Sequence, residues 1–147
     1  MYEPPRAPIN FPAFDWKEAL HRPGAQQLIH LVNLMLSRPY LTRVPDQDLL
    51  ISDPGGGAGR VCATRDQSGS YAFVYLPLAG QTVTLDMSRL AGPVKAWWYD
   101  PRNGRAHLAG EFANQGAQAF TSPLGGPDWV LVLDEAAQTF LPPGMRD

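Results

Sequence analysis

The sequence predicts a mainly β fold, an antiparallel β-sandwich preceded by a helical segment, and three observations carry that reading. From about Arg60, short apolar runs alternate with turn-forming clusters: Arg60 to Arg65, Tyr71 to Leu78, Thr82 to Met87, Val94 to Tyr99, Arg105 to Ala109, Gln118 to Thr121 and Trp129 to Leu133. About seven strands at this spacing are the pattern of a sandwich. Before residue 55, prolines punctuate the chain and only one long stretch has helical periodicity. That helix has a hydrophobic surface too broad for a helix lying on one small domain, so the chain reads as the end of something larger.

The elements follow in order. Residues 1 to 14 carry prolines at positions 4, 5, 8 and 12, a spacing that excludes helix and central strand and leaves an extended segment needing something to lie against. Asp15 is placed to cap a first helical turn through Trp16 to Leu20, with Glu18 as its capping-box partner. Pro23 either breaks that turn or opens a second helix from about Gly24 to Ser37, which Arg38-Pro39 ends. Within it, Ala25, Leu28, Ile29, Leu31, Val32, Leu34, Met35 and Leu36 leave only a narrow polar stripe of Gln26, His30, Asn33 and Ser37. The apolar set covers more than half the circumference, against the ~100° of an ordinary surface helix. Leu28, Leu31, Val32 and Met35 are therefore the candidate surface for docking on a partner or for self-association.

Residues 39 to 59, with Pro39, Pro45, Pro54 and the run from Gly55 to Gly59, read as a connector with a flexible last part. Turns then fall at Asp66 to Gly69, Ala79-Gly80 and Asp100 to Gly104; the last matches a type I turn leading into a bulge, with Pro101 to Gly104 at a hairpin tip. Along the strands, Val94, Ala96 and Trp98 oppose Lys95, Trp97 and Tyr99; Trp129, Leu131 and Leu133 oppose Val130 and Val132; Tyr71, Phe73 and Tyr75 oppose Ala72, Val74 and Leu76. Both faces of these strands are apolar or aromatic, so one sheet needs a cover on its outer side, which the helix and proline-rich segments supply in part.

Composition narrows the function classes. A chain of 147 residues holds one ordinary domain plus an appendage. Hydrophobic residues make up 44%, enough for a core, while the charged fraction of 18% is below the usual ~25%. Net charge is −2, with no basic run, which argues against nucleic acid as a partner. Cys62 is the only cysteine; it excludes an intramolecular disulfide framework and reads as a small core residue. No apolar stretch approaches a membrane span, and the first residues lack the apolar run of a signal peptide.

The run Asp15 to Leu20, then Pro23-Gly24-Ala25, Ser37-Arg38-Pro39 and Val44 to Gln47, resembles the junction between the catalytic barrel and the C-terminal domain of apiosidase-like glycoside hydrolases. Ala63 to Asp66, Ser70 to Tyr75, Val94 to Gly104 and Asp128 to Leu133 resemble that C-terminal domain itself, described as a "putative collagen-binding domain of a collagenase". The resemblance spans about residues 15 to 137. With the proline pattern it divides the chain into a proline-rich extension, the terminal helix of a missing barrel and a connector over residues 1–54, and the sandwich over 55–147. The family's catalytic carboxylates lie on barrel strands this chain does not contain, so no catalytic residue carries over.

The residues on their own agree. Glycoside hydrolysis needs two facing carboxyls about 5 to 9.5 Å apart, whereas Asp100, Glu111, Asp128 and Asp134 sit at turns or strand ends, where turn-forming or solvated roles prevail. His21, His30 and His107 lack a helical ligand pair, and Asp46, Asp48 and Asp53 lack the ligand order of a calcium loop. No cofactor or metal is expected. Trp97, Tyr99, Trp129, Tyr71 and Tyr75, with Trp98, are the remaining functional candidates. They either form a platform for polysaccharide or a groove for a collagen-like protein, or fill the core and the docking face, the reading favoured here. The expected function is a non-catalytic accessory domain supporting a barrel; the alternatives are a collagen- or carbohydrate-binding module and a fragment that completes a hydrolase.

Overall fold

A computed structural model describes residues 15–146; the proline-rich segment expected over residues 1 to 14 lies outside the described residues. Helices α1 (Trp16–Ala19) and α2 (Pro23–Leu36) precede eight strands: β1 (Arg43–Pro45), β2 (Cys62–Asp66), β3 (Tyr71–Leu76), β4 (Thr82–Asp86), β5 (Val94–Asp100), β6 (Arg105–Phe112), β7 (Ala117–Thr121) and β8 (Trp129–Glu135). All pairings are antiparallel. They form a six-stranded sheet in the order β1-β2-β3-β8-β5-β6 and a two-stranded sheet of β4 and β7. The sandwich is thus unequal.

The alternation read from the sequence is the alternation observed. Ala72, Val74, Leu76, Val94, Ala96, Trp98, Trp129, Leu131 and Leu133 point toward the small sheet and meet Val83, Leu85 and Phe120 there. On the opposite face Tyr71, Phe73, Tyr99, Val130 and Val132 pack with Leu34 of α2, with Trp97 and Phe140 at the margin. The central sheet therefore has apolar cover on both sides. The C-terminal segment shares this work: Gly144 adopts a φ of +84° so close to Tyr99 that an added Cβ would meet its ring at 2.8 Å.

Asp15 and Pro23 open the two helices as the sequence reads, while the Glu18 side chain makes no capping-box hydrogen bond among the described residues. Asp15 accepts the Lys17 amide at 3.3 Å, holding the single turn of α1. Pro23 takes the first position of α2, where its fixed φ costs nothing. Ser37 caps the end of the helix, its amide and hydroxyl both donating to the Leu34 carbonyl, and Arg38 anchors it. Its Nε and Nη2 each donate to the Asp134 carboxylate on β8 at 2.7 Å, Nη2 also reaches the Leu141 carbonyl at 2.9 Å, and both charged side chains are buried. One residue ties helix, central strand and C-terminal segment together.

Three expectations needed correction. The connector is largely structured: β1 pairs with β2, and Leu49 is wholly buried in the inter-sheet core. A three-residue strand ending in proline has no readable period and exists as an edge strand because β2 offers it a partner. Cys62, expected in the core, is exposed. Val61 and Ala63 take the inward positions, and Cys62 faces the other way, into an open groove between the large sheet and α2. Asp134, expected at a solvated strand end, is buried because Arg38 compensates its charge.

Turns are fixed by acidic side chains. Asp100 begins the β5–β6 turn, accepts from the Gly104 amide through its carbonyl at 2.8 Å, and receives Arg102 Nε and Nη2 at 2.7 and 2.9 Å. Gly104 closes the turn at a φ of +73°, a conformation side chains oppose. Burial alone would raise the Asp66 carboxyl, but the Ser68, Thr42 and Ser70 hydroxyls and the Ser68 amide hold it down at about 2. Asp46 receives Arg65 from β2 and Arg89 from the segment after β4, joining the two sheets at one edge. No helix among the described residues is long and apolar enough to cross a membrane.

Candidate functional site

The feature left over after folding is the surface of α2. Only Leu34 on this helix is buried. Leu28 is 57%, Leu31 42%, Val32 45% and Met35 38% exposed, and Ile29 and Leu36 are exposed beside them. At 100° per residue, Leu28, Leu31 and Met35 share one flank, while Ile29, Val32 and Leu36 face away from the sheet. All four docking candidates read from the sequence therefore lie on an open apolar surface, which a soluble chain seldom leaves bare over more than a few hundred Å².

The flank borders a groove. Its apolar end, about 220 Å³, lies between Leu31 and Met35 of α2 and Cys62, Phe73, Tyr75 and Val130 of the large sheet. Toward the start of α2 it continues into a hollow of about 260 Å³ lined by Gly24, Gln27, Leu28, Tyr75, Arg102 and Asp128. Asp128 holds a φ of +65°, rare outside glycine, and accepts the Tyr75 hydroxyl at 2.5 Å. Burial and that carboxylate push the Tyr75 phenol up to about 12. Arg43 closes the far end, donating to the Met35 carbonyl at 3.1 Å and lying 4.4 Å over the Phe73 ring.

The aromatic candidates do not assemble into a platform. Trp129 is buried between the sheets, edge-on to Trp98 at 6.5 Å. Tyr71 and Tyr99 are buried on the other face: Tyr71 donates to the Pro39 carbonyl at 2.5 Å and Tyr99 to the His30 carbonyl of α2 at 2.8 Å. Burial raises the Tyr99 phenol to about 12, with the Asp100 charge adding to it. Trp97 packs at the margin of that cluster, and Tyr75 alone opens into the groove. A flat ligand would find no row of exposed rings among these residues, because strand alternation divides them between two faces, one closed by the small sheet and the other covered by α2 and the C-terminal segment except at Tyr75.

The carboxylates have structural partners. Asp100 is bound by Arg102, Asp134 by Arg38, Asp46 by Arg65 and Arg89, and Asp128 by Tyr75, while Glu111 is exposed on β6. Among the described residues no group of three or more His, Cys, Asp or Glu side chains is arranged to hold a metal ion. Sequence reasoning missed the groove, because its sheet-side wall comes from β2, β3 and β8, which periodicity cannot order.

The family model described as "putative collagen-binding domain of a collagenase" matches residues 44–134. The chain belongs to that family. Among solved structures, this collagen-binding-type domain is similar to a protein titled "Glycoside hydrolase", with 30% identity and a TM-score of 0.79 over 95% of this chain and 32% of the other. It is also similar to a glycoside hydrolase family 5 protein from Bacteroides vulgatus ATCC 8482, with 34% identity and a TM-score of 0.76 over 86% of this chain and 28% of the other. The chain spans about a third of the length of each. A search of curated proteins returns no match. The family match begins at residue 44, after α2, whereas a likeness covering 95% of the chain leaves too few residues outside it to omit a helix of 14.

Proposed function

We propose that this chain is a non-catalytic accessory domain of a glycoside-hydrolase-like protein, of the apiosidase-like kind, and that it packs on and supports a catalytic barrel through α2. The observation that carries this reading is the open apolar face of a helix that precedes the family domain yet lies within the likeness to much longer hydrolases. Covering the exposed half of a Leu, Ile or Val side chain contributes on the order of 1 kcal/mol. Six such residues side by side on α2 offer a supporting interface of several kcal/mol. A module for collagen-like protein or polysaccharide is the second reading; it draws on the family description, but most of its aromatic candidates are covered.

Replacing both Ile29 and Val32 with glutamate tests the reading in the isolated chain. Both residues face away from the sheet, so the expected result is unchanged thermal unfolding with less self-association in sedimentation velocity. Charge forced into a closed core would instead unfold the domain. Loss of the folded state in this variant would mean that the helix is covered by its own chain and offers no docking face.

A further inference from the structure

We propose that the hollow between the start of α2 and the Tyr75–Asp128 pair is a socket for an arginine side chain of the protein that covers α2. The proposal rests on the docking reading above for its partner, and adds to an apolar face the charged contact that selects what docks there.

The chain itself shows how such a socket is built. Arg38 donates from Nε and Nη2 to Asp134 at 2.7 Å and lies 4.7 Å over the Phe140 ring. Arg102 repeats the arrangement, donating to Asp100 at 2.7 and 2.9 Å and lying 5.2 Å from the Trp129 ring. In each place a guanidinium joins a carboxylate to an aromatic ring, a role for which its flat, weakly hydrated fork is suited. The hollow of about 260 Å³ holds the same two parts, the Asp128 carboxylate and the Tyr75 ring, but no guanidinium of the described residues bonds to that carboxylate.

Charge and position agree. Tyr75 is the one described residue that donates to the Asp128 side chain, on Oδ1, and the other oxygen accepts nothing from the described residues. Arg102 lines the hollow too, but Asp100 holds it, so Asp100, Arg102 and Asp128 together leave a negative charge in excess. The α2 helix has no lysine, arginine or acid to offset it. Leu28 and Leu31 belong both to the wall of the hollow and to the open flank of the helix, so a surface that covers the flank covers the hollow as well. Apolar neighbours of this kind keep water from the contact, the setting in which an arginine contributes most to an interface.

N-acetyl-L-arginine amide titrated into the isolated chain tests the socket. Saturable NMR shifts are expected at Gln27, Tyr75 and Asp128, with the lysine counterpart binding several-fold more weakly because it lacks the planar fork. Asp128→Asn should weaken arginine binding about tenfold, the loss of one charge-assisted contact. That variant should stay folded, since asparagine tolerates a φ of +65° and still accepts the Tyr75 hydroxyl. Absence of saturable shifts in the unaltered chain would overturn the proposal, and so would equal affinity in the variant. Cellobiose giving those shifts where the arginine amide does not would assign the hollow to a sugar, and shifts there on raising the protein concentration alone would assign it to a second copy; either would overturn it. With the chain grafted in place of the matched part of the Bacteroides vulgatus family 5 protein, the same titration should give no shifts at these residues, because the docked surface fills the socket. Loss of docking itself is read separately, from the Ile29→Glu and Val32→Glu pair, which lines no part of the hollow. Arginine-amide binding that persists in the graft while α2 is protected from hydrogen exchange would overturn the socket and leave the docking reading standing.

Discussion

Replacing Arg38 with alanine should lower the unfolding free energy in urea by about 3–5 kcal/mol, the cost of stranding a buried charge. Asp134 lies within the sheet and has its two oxygens taken by the Arg38 guanidinium. Burial pushes its carboxyl up, and the arginine opposes that push. Without the guanidinium the carboxylate must either remain unpaired or take up a proton. The same change frees the Leu141 carbonyl and removes the cation lying 4.7 Å over the Phe140 ring. The double substitution Arg38→Met with Asp134→Leu removes both charges at similar volume and should recover most of the loss. A small effect of Arg38→Ala would mean that the clamp between α2 and β8 does not hold the helix.

Trp129→Ala should cost about 3–5 kcal/mol, the range for deleting a large buried aromatic. The indole fills the space between the two sheets against Trp98, and its N–H donates to the Gly126 carbonyl at 3.0 Å. Arg102 lies 5.2 Å above the ring, so the change also loosens the β5–β6 turn that Arg102 braces. A residue on an exposed binding platform would behave oppositely, weakening a ligand while leaving denaturation unchanged. Urea unfolding of this variant therefore separates a core tryptophan from a binding one, and an unchanged midpoint would return Trp129 to the surface.

Strand phase was legible in the sequence because each strand alternates between two different apolar environments. Val94, Ala96 and Trp98 read as one set and Trp97 and Tyr99 as another, and the structure seats them on the inter-sheet core and under α2 respectively. Turn chemistry was legible at Asp100 to Gly104, where each residue type has a local backbone reason. What the sequence withheld was long-range. That the sheets divide six to two depends on which strands pair, and β1 exists only through β2. The role of Arg38 depends on Asp134, far along the chain, so Ser37-Arg38-Pro39 read only as a helix stop and a family mark. Cys62 failed because a strand's phase gives its face, while the extent of the cover over that face comes from the length and placement of α2. The breadth of the apolar surface on α2 was readable from composition around the wheel; the groove beside it required the sheet.

The claim that α2 is a docking helix is tested most directly by placing this chain in a full-length hydrolase. Grafted in place of the 28% of the Bacteroides vulgatus family 5 protein that it matches, it should show backbone amides of residues 28 to 36 exchanging with deuterium at least about tenfold more slowly than in the isolated chain, since an interface must open before they exchange. The Ile29→Glu and Val32→Glu pair should abolish that added protection while leaving the exchange of β3 and β8 unchanged. Equal exchange of α2 in the grafted and isolated chains, with the sandwich folded in both, would contradict the account.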